Sequence, residues 1–390
     1  MRDVSPPGAD RYRATGLWRG ETVWAAFGAT AARAGARTAV VEGAGRTSFA
    51  ALAAAAEGLA GGLAARGVRA GDVVAVQLPN WTETLVVLLA AARLGAVANP
   101  VLPIYRRREL GFILAEAGAR VLFIPGRYRD CDHRALVREL RPALPALEHV
   151  IVVRDQPVNG AHAYAEVAGP APGPPASDSG TIGLLIYTSG TTADAKGVLH
   201  SPDTLLAEAR SLAAVHGLTA ADTVLMPSPL THISGIVHAL LVPAVFGASA
   251  VLMDRWEPAA ARALIAAERV TYMVGAPTFL RDLATGAPGE TTSLRLFSCG
   301  GADVDPALVR QAAARLGCVA KRVYGSTEFP TVTTTGPDDP PERRIDRRGA
   351  RSGRTRSAWS TRTARQSHPG ARARSWRAAP SASSATATRP

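Results

Sequence analysis

Lys196 is one of only two lysines in a chain of 390 residues, and it follows the small and hydroxyl-bearing run Thr188, Ser189, Gly190, Thr191, Thr192 and Ala193. A mobile ammonium, clustered hydroxyls and the converging N–H groups of a small-residue loop are what a polyphosphate needs. The apolar run IGLLIY before the loop reads as a buried strand, and VL after the lysine begins another. The common phosphate loop is excluded, because Ala195 precedes the lysine and Gly197 follows it. On composition alone, a Thr/Gly/Ser surface turn is an equal alternative to a triphosphate cradle.

Three further stretches carry chemistry. His232 sits in PLTHISG, with Gly235 three residues on, at an expected helix start where a capping or core histidine is the commoner use. Gly300, Gly301 and Ala302 leave the strand LRLFSC; paired glycines there allow close backbone approach to a flat ring, or make an ordinary turn. Tyr324, Gly325, Thr327 and Glu328 form YGSTE after the strand CVAKRV, which is either a polar loop or a binding edge.

Taken in order, YTSGTTADAKGV, PLTHISG, GGA and YGSTE resemble the signature blocks of the adenylate-forming superfamily, which includes acyl-CoA synthetases. The usual first block is Y-T-S-G-T-T-G-x-P-K-G-V, so Ala193 stands for its second glycine and Ala195 for its proline. GVRAGDVVAVQLPNW and AARLGAVANPVLPIYRRREL extend the resemblance towards the N-terminus, over residues 20–335 in all. The resemblance implies that ATP is held by Thr188, Ser189, Gly190, Thr191, Thr192 and Lys196. Gly300, Gly301 and Ala302 would contact adenine, Tyr324 and Gly325 would flank it, and Thr327 would touch phosphate. It also implies Mg²⁺ on Thr191 and Glu328, His232 and Gly235 beside a carboxylic acid, and coenzyme A as co-substrate. Lys196, Thr191, Glu328 and His232 become the expected catalytic residues. VLPIYRRREL and VLMDRWEP point to ligases of medium-chain or cyclohexanecarboxylate-type acids.

These residues need a scaffold, and the rhythm of the chain supplies one. RTAVVE reads as a strand, Ser48 to Arg66 as an Ala-rich helix behind a Thr47 or Ser48 cap, and VVAVQLPN as a strand before a helix over Thr82 to Leu94. Residues 11–35 read as an opening strand or loop and then a helix. Strand and helix alternate throughout, the pattern of an α/β fold with mainly parallel sheets. We expect a first αβ subdomain over 1–156, a Pro/Gly-rich linker over 157–180 and a second αβ subdomain over 181–346 that carries the ATP motifs. The stretch 234–253 reads as a core helix and strand, not a membrane span.

Net charge is +12, but residues 347–390 hold 11 Arg and no acidic residue, leaving 33 basic against 32 acidic residues in the body. A nucleic-acid groove in the body thus has no charge basis. Segment 347–390 lacks Val, Leu, Ile, Phe and Met, so a disordered basic tail is expected. The superfamily implies a third subdomain, an acidic T-G-D block and a small C-terminal domain with an adenylation lysine; 347–390 shows none of them. With Arg outnumbering Lys by 42 to 2, a shift of reading frame near codon 346 is the expectation. The predicted function is an acid–CoA ligase. Its alternatives are an inactive remnant that at most binds ATP, and a non-enzymatic module with a basic arm. Cys131, Cys299 and Cys318 lack metal-ligand spacing, and the N-terminus has no apolar leader region, so a reduced, cytoplasmic protein is expected.

Overall fold

The computed structural model describes residues 9–158, 160–173, 178–188, 195–286 and 289–346. Ser189, Gly190, Thr191 and Thr192 of the small-residue loop, and the segment 347–390, lie outside the described residues. Runs such as VVAV, VLFIP and HVIVV are apolar at every position, and such runs form strands covered on both faces. Two seven-stranded sheets result. The first runs in the order 196–200, 184–188, 97–100, 73–76, 121–125, 149–153 and 162–163. The second runs 319–322, 296–299, 272–275, 223–226, 249–252, 38–42 and 45–48. In both, pairing is parallel except at one edge, where 184–188 meets 196–200 and 38–42 meets 45–48.

The sheets do not follow the halves read from sequence. The hairpin 38–48 joins the second sheet beside Ser249–Leu252, and Leu184–Thr188 joins the first beside Val97–Pro100. Composition along the chain marks a Pro/Gly-rich connection, but register and burial decide which edge a strand extends. The opening segment also differs from the expected strand or loop. Ala9–Ala14 is a short helix, because Ala9, Tyr12 and Trp18 find an apolar seat against Ala207.

Alternation along the strands sorts the core into layers. Val74 and Val76 of the first sheet and Val224, Tyr272, Val274 and Leu296 of the second face a shared inner core. That core holds the helices Phe49–Ala65, Thr82–Leu94 and Pro202–His216 and the helical segment 233–246. Val73, Ala75 and Leu122 face an outer core on one side, and Met273, Phe297 and Ala320 face another on the far side. Ser201 caps the Pro202–His216 helix through Thr204 N, and Gly217 ends it in the left-handed conformation. His216 therefore enters the core on the last turn. Among the described residues, no helix is long and apolar enough to cross a membrane.

Helix Phe49–Ala65 passes so close to the 167–170 segment that Gly62 has no room for a side chain; a Cβ there would stand 1.2 Å from the Val167 carbonyl oxygen. Gly62→Ala is expected to destabilise the fold by about 2–3 kcal/mol through forced backbone displacement. Gly28 lies in helix Val23–Ala34 with nothing within 4 Å of its would-be Cβ. Gly28→Ala should instead be neutral or stabilising by up to ~1 kcal/mol. Urea midpoints for the two variants check the contrast, and equal effects would contradict it.

Candidate active site

The carboxyl ends of the second sheet's parallel strands open into a cavity of about 400 Å³. Such strand ends are where open α/β sheets place ligands. His232 and Ile233 border it from the helical segment, Gly300 and Gly301 from the sheet, and Gly325 and Thr327 from the following loop. An adjoining groove of about 310 Å³ is lined by Gly301, Ala302, Tyr324 and Gly325. Three of the four sequence blocks thus meet around two connected spaces.

His232 caps the helical segment that begins at Ile233: its Nδ1 accepts from Ser234 N at 3.2 Å and lies 2.9 Å from Ser234 Oγ. With Nδ1 accepting, the neutral ring carries its proton on Nε2. The imidazole is exposed to the open space, yet surrounding protein desolvates it enough to lower its pKa. A neutral N–H donor at the cavity mouth is the result. Gly235 plays a different part from the expected one. It is buried away from the cavity, and a Cβ there would stand 2.3 Å from Pro229 O and 2.6 Å from Leu230 Cα. Its role is to let the helix start pack against the preceding loop.

That loop is fixed by Asn80, a residue the sequence reading passed over. Its Nδ2 donates to the carbonyls of Met226, Ser228 and Met253 at 2.9 to 3.2 Å, and its Oδ1 accepts from Leu230 N at 2.7 Å. One buried amide from the first sheet's LPN exit therefore ties together two strand ends and the His232 loop.

On the other wall, Gly300 is required by contact, since a Cβ would lie 2.5 Å from Val323 O. Gly301 has φ +81°, open to glycine without strain. Gly325 is pinned in the same way, its would-be Cβ falling 1.9 Å from Pro330 O. Ser326 and Phe329 exchange backbone hydrogen bonds at 2.8 and 3.1 Å, and Tyr324 pairs with Thr333. This holds the Tyr324 ring out at the groove, 51% exposed, and leaves Glu328 on the exposed turn.

Thr188 and Lys196 face each other across the antiparallel pair Leu184–Thr188 and Lys196–His200, with Lys196 exposed. The far end of the same strand is anchored to the YGSTE turn, where His200 Nε2 donates to Thr327 O at 2.8 Å. Sequence gave no warning of this bond. It fixes the strand of Lys196, in the first sheet, relative to Thr327, in the loop that follows the second sheet's last strand.

Deeper in the cavity lies a polar floor that the motifs did not announce. His216, His238, Tyr272 and Ser298 line it, and Lys321 lies buried behind His216. Lys321 Nζ is 2.6 Å from His216 Nε2, 2.5 Å from Thr334 Oγ1 and 2.6 Å from Thr335 O. Burial pulls the Lys321 pKa down to about 7. Burial, with the Lys321 charge adding to it, lowers His216 well below its ordinary value and His238 to about 4. Glu208, two turns before His216 on the same helix face, is buried and pushed up to about 7.

The sequence pattern of the family described as AMP-binding enzyme matches residues 27–355. The medium-chain fatty-acid–CoA ligase of Escherichia coli (strain K12) is 32% identical over 337 residues, covering 84% of this chain and 59% of that protein. A salicylyl-CoA synthase / salicylate adenylyltransferase of a Streptomyces species is 32% identical over 359 residues, covering 87% and 64%. The apo structure of MbtA from Mycobacterium smegmatis superposes with a TM-score of 0.81 at 30% identity, covering 88% of this chain and 64% of that one. The chain thus spans less than two thirds of the length of each.

The buried histidines make stability pH-dependent with a definite sign. An unfolded histidine takes its proton near 6.5, whereas His238 in the fold resists until about pH 4. Between those values the unfolded chain binds more protons, so stability is intact above the window and is lost as the pH falls through it. His238→Phe is expected to flatten the decline between pH 6.5 and 4 in urea midpoints; an unchanged slope would contradict the burial of a neutral ring.

Proposed function

The chain belongs to the AMP-binding enzyme family, with the two-sheet fold of the N-terminal domain of adenylate-forming enzymes, and from that premise we propose that it activates a carboxylic acid. A carboxylate oxygen bonds to the α-phosphorus of ATP while the bond from that phosphorus to the bridging oxygen breaks, releasing pyrophosphate. The sulfur of coenzyme A then takes the acyl group and AMP leaves. One observation carries this reading: a single cavity is bounded both by His232 and by Gly300, Gly301, Gly325 and Thr327, and adjoins a groove formed by Ala302 and Tyr324.

Tyr324 and the Gly300–Ala302 turn offer flat and side-chain-free surfaces to adenine. The neutral His232 donates from Nε2 to the incoming carboxylate, orienting it without forming a tight ion pair that would blunt its attack. Lys196, with Thr188, Ser189, Gly190, Thr191 and Thr192, receives the β- and γ-phosphates, and catalysis is mainly positioning and charge neutralisation. Glu328, an exposed carboxylate on a fixed turn, suits Mg²⁺ as an oxygen ligand, with Thr191 as its partner. The ion, when bound, neutralises phosphate charge. Medium-chain or alicyclic acids are the acid class proposed, in line with the name of the Escherichia coli relative, and salicylate in the name of the Streptomyces relative widens the range to aryl acids. Three free thiols accord with a reducing, cytoplasmic setting.

Pyrophosphate release from ATP by the 390-residue chain, assayed with medium-chain, alicyclic and aryl acids, tests the reading. Release should depend on the acid, and Lys196→Ala should lower kcat/KM by about 100-fold, as removal of a preorganised charge-stabilising group does. Release indifferent to Lys196 would remove the phosphate role assigned to it.

A further inference from the structure

We propose that the acid bound here carries a hydroxyl group at the end remote from its carboxylate. The inference rests on the acid-activation reading and specifies its substrate.

Strand register puts the polar floor on one face. Val274 pairs with Ser298 and Ser298 with Lys321, and alternation brings Tyr272 to the same side as Val274. The Pro202–His216 helix supplies His216 to this face, and the segment 233–246 supplies His238. The Tyr272 ring packs near both imidazoles, with centroids at 5.5 Å from His216 and 5.7 Å from His238. All four cavity-lining groups are at least nine-tenths buried, Tyr272 and His216 being wholly inaccessible, whereas His232 at the mouth is exposed.

The hydrogen-bond partners fix which atoms carry protons. Below a pH of about 7 Lys321 is an ammonium with only protons to offer, so His216 Nε2 then accepts and His216 Nδ1 bears the ring proton. Nδ1 is buried without a partner. His238 is the mirror case: Nδ1 donates to Ser234 O at 2.8 Å, and the neutral ring leaves Nε2 as a buried acceptor, also without a partner. Tyr272 Oη and Ser298 Oγ are two more buried polar atoms with no hydrogen bond of proper geometry. Burial pushes the Tyr272 pKa above the usual range, and the Ser298 hydroxyl lowers it against that burial. A bond between the two would still leave lone pairs and one proton over.

Buried polar groups are nearly always paired, so a cluster of unpaired ones along a cavity signals an absent partner. An unsubstituted hydrocarbon end would seal these groups away unsatisfied. A second carboxylate does not suit either: the His238 acceptor would face it, and the Lys321 protons are already taken by His216, Thr334 and Thr335. A neutral group that both gives and takes protons suits this lining, which offers an acceptor at His238 Nε2, a donor at His216 Nδ1, and the Tyr272 and Ser298 hydroxyls, which can do either. An alcohol or phenol hydroxyl is that group.

Matched acid pairs with and without a distal hydroxyl, such as 4-hydroxycyclohexanecarboxylate against cyclohexanecarboxylate, 8-hydroxyoctanoate against octanoate, and 3-hydroxybenzoate against benzoate, test this in two assays on the full chain. Calorimetric binding is read regardless of turnover, and pyrophosphate release with ATP reads the reaction. In at least one pair the hydroxy acid should be favoured by ~10-fold or more in Kd, since a site built to hydrogen-bond a hydroxyl rejects the analogue that lacks it. Tyr272→Phe and Ser298→Ala, which remove hydroxyls without opening large voids, should bring the ratio towards one. Preferential binding without pyrophosphate release would uphold the hydroxyl site and overturn the reaction reading. Release without preference, or a preference that neither variant moves, would overturn the hydroxyl site and leave the reaction reading standing. Failure of every acid in both assays would overturn both.

Discussion

The site depends on one buried carboxamide. Asn80 leaves the first sheet at the end of VVAVQLPN and spends all its hydrogen-bonding capacity on the second, on the carbonyls of Met226, Ser228 and Met253 and the N–H of Leu230. These groups sit at or just past the ends of the second sheet's strands, and the Met226 carbonyl also accepts from Met253 N at 3.1 Å. Without Asn80 the Ser228 and Met253 carbonyls and the Leu230 N–H would lose this partner, at roughly 1–3 kcal/mol for each buried group. The clasp therefore holds the two sheets in register and sets the loop from which His232 rises. The His200 bond to Thr327 repeats the device on the opposite wall, between the Lys196 strand and the YGSTE turn.

Between these clasps the sheet face behaves as strand geometry requires. Odd and even positions separate, sending Met273, Phe297 and Ala320 to an outer apolar core and Tyr272, Ser298 and Lys321 to the inner layer. A wholly structural inner face would have been apolar throughout. Keeping a lysine there, with its pKa depressed to about 7, costs on the order of a few kcal/mol, and among the described residues its hydrogen-bond partners are His216, Thr334 and Thr335. The rest of the fold supports that expense through three large apolar clusters.

Much of this was legible in the residues. Continuous apolar runs mark parallel strands, Ser48 caps its helix as read, and the glycines at 300 and 325 are where backbone approaches backbone. Of the phosphate loop's expected contacts the structure describes only Thr188 and Lys196, since Ser189 to Thr192 lie outside the described residues. What escaped was long-range. Nothing near Asn80 in sequence points to Leu230, 150 residues away, and nothing near His200 points to Thr327. Gly235 matched a motif and proved to be a packing glycine, because spacing does not tell a contact with ligand from a contact with loop. The polar floor left one overlooked signal: in a chain with 42 arginines, the second of just two lysines falls in the middle of the strand VAKR. Arginine is the residue of choice at surfaces here, and a lysine inside a buried strand marks a place where a compact cation is needed.

The central claim is that the cavity and its adjoining groove hold one acyl-adenylate, acid end on the polar floor and base at Tyr324. Calorimetric titration of the full chain with a non-hydrolysable analogue, in which a sulfamoyl group replaces the acyl phosphate, tests it most directly. The account predicts a single site, filled at least about 100-fold more tightly than by AMP or the free acid alone, and weakened by Tyr324→Ala. Affinity no better than that of AMP, or indifferent to Tyr324, would contradict it.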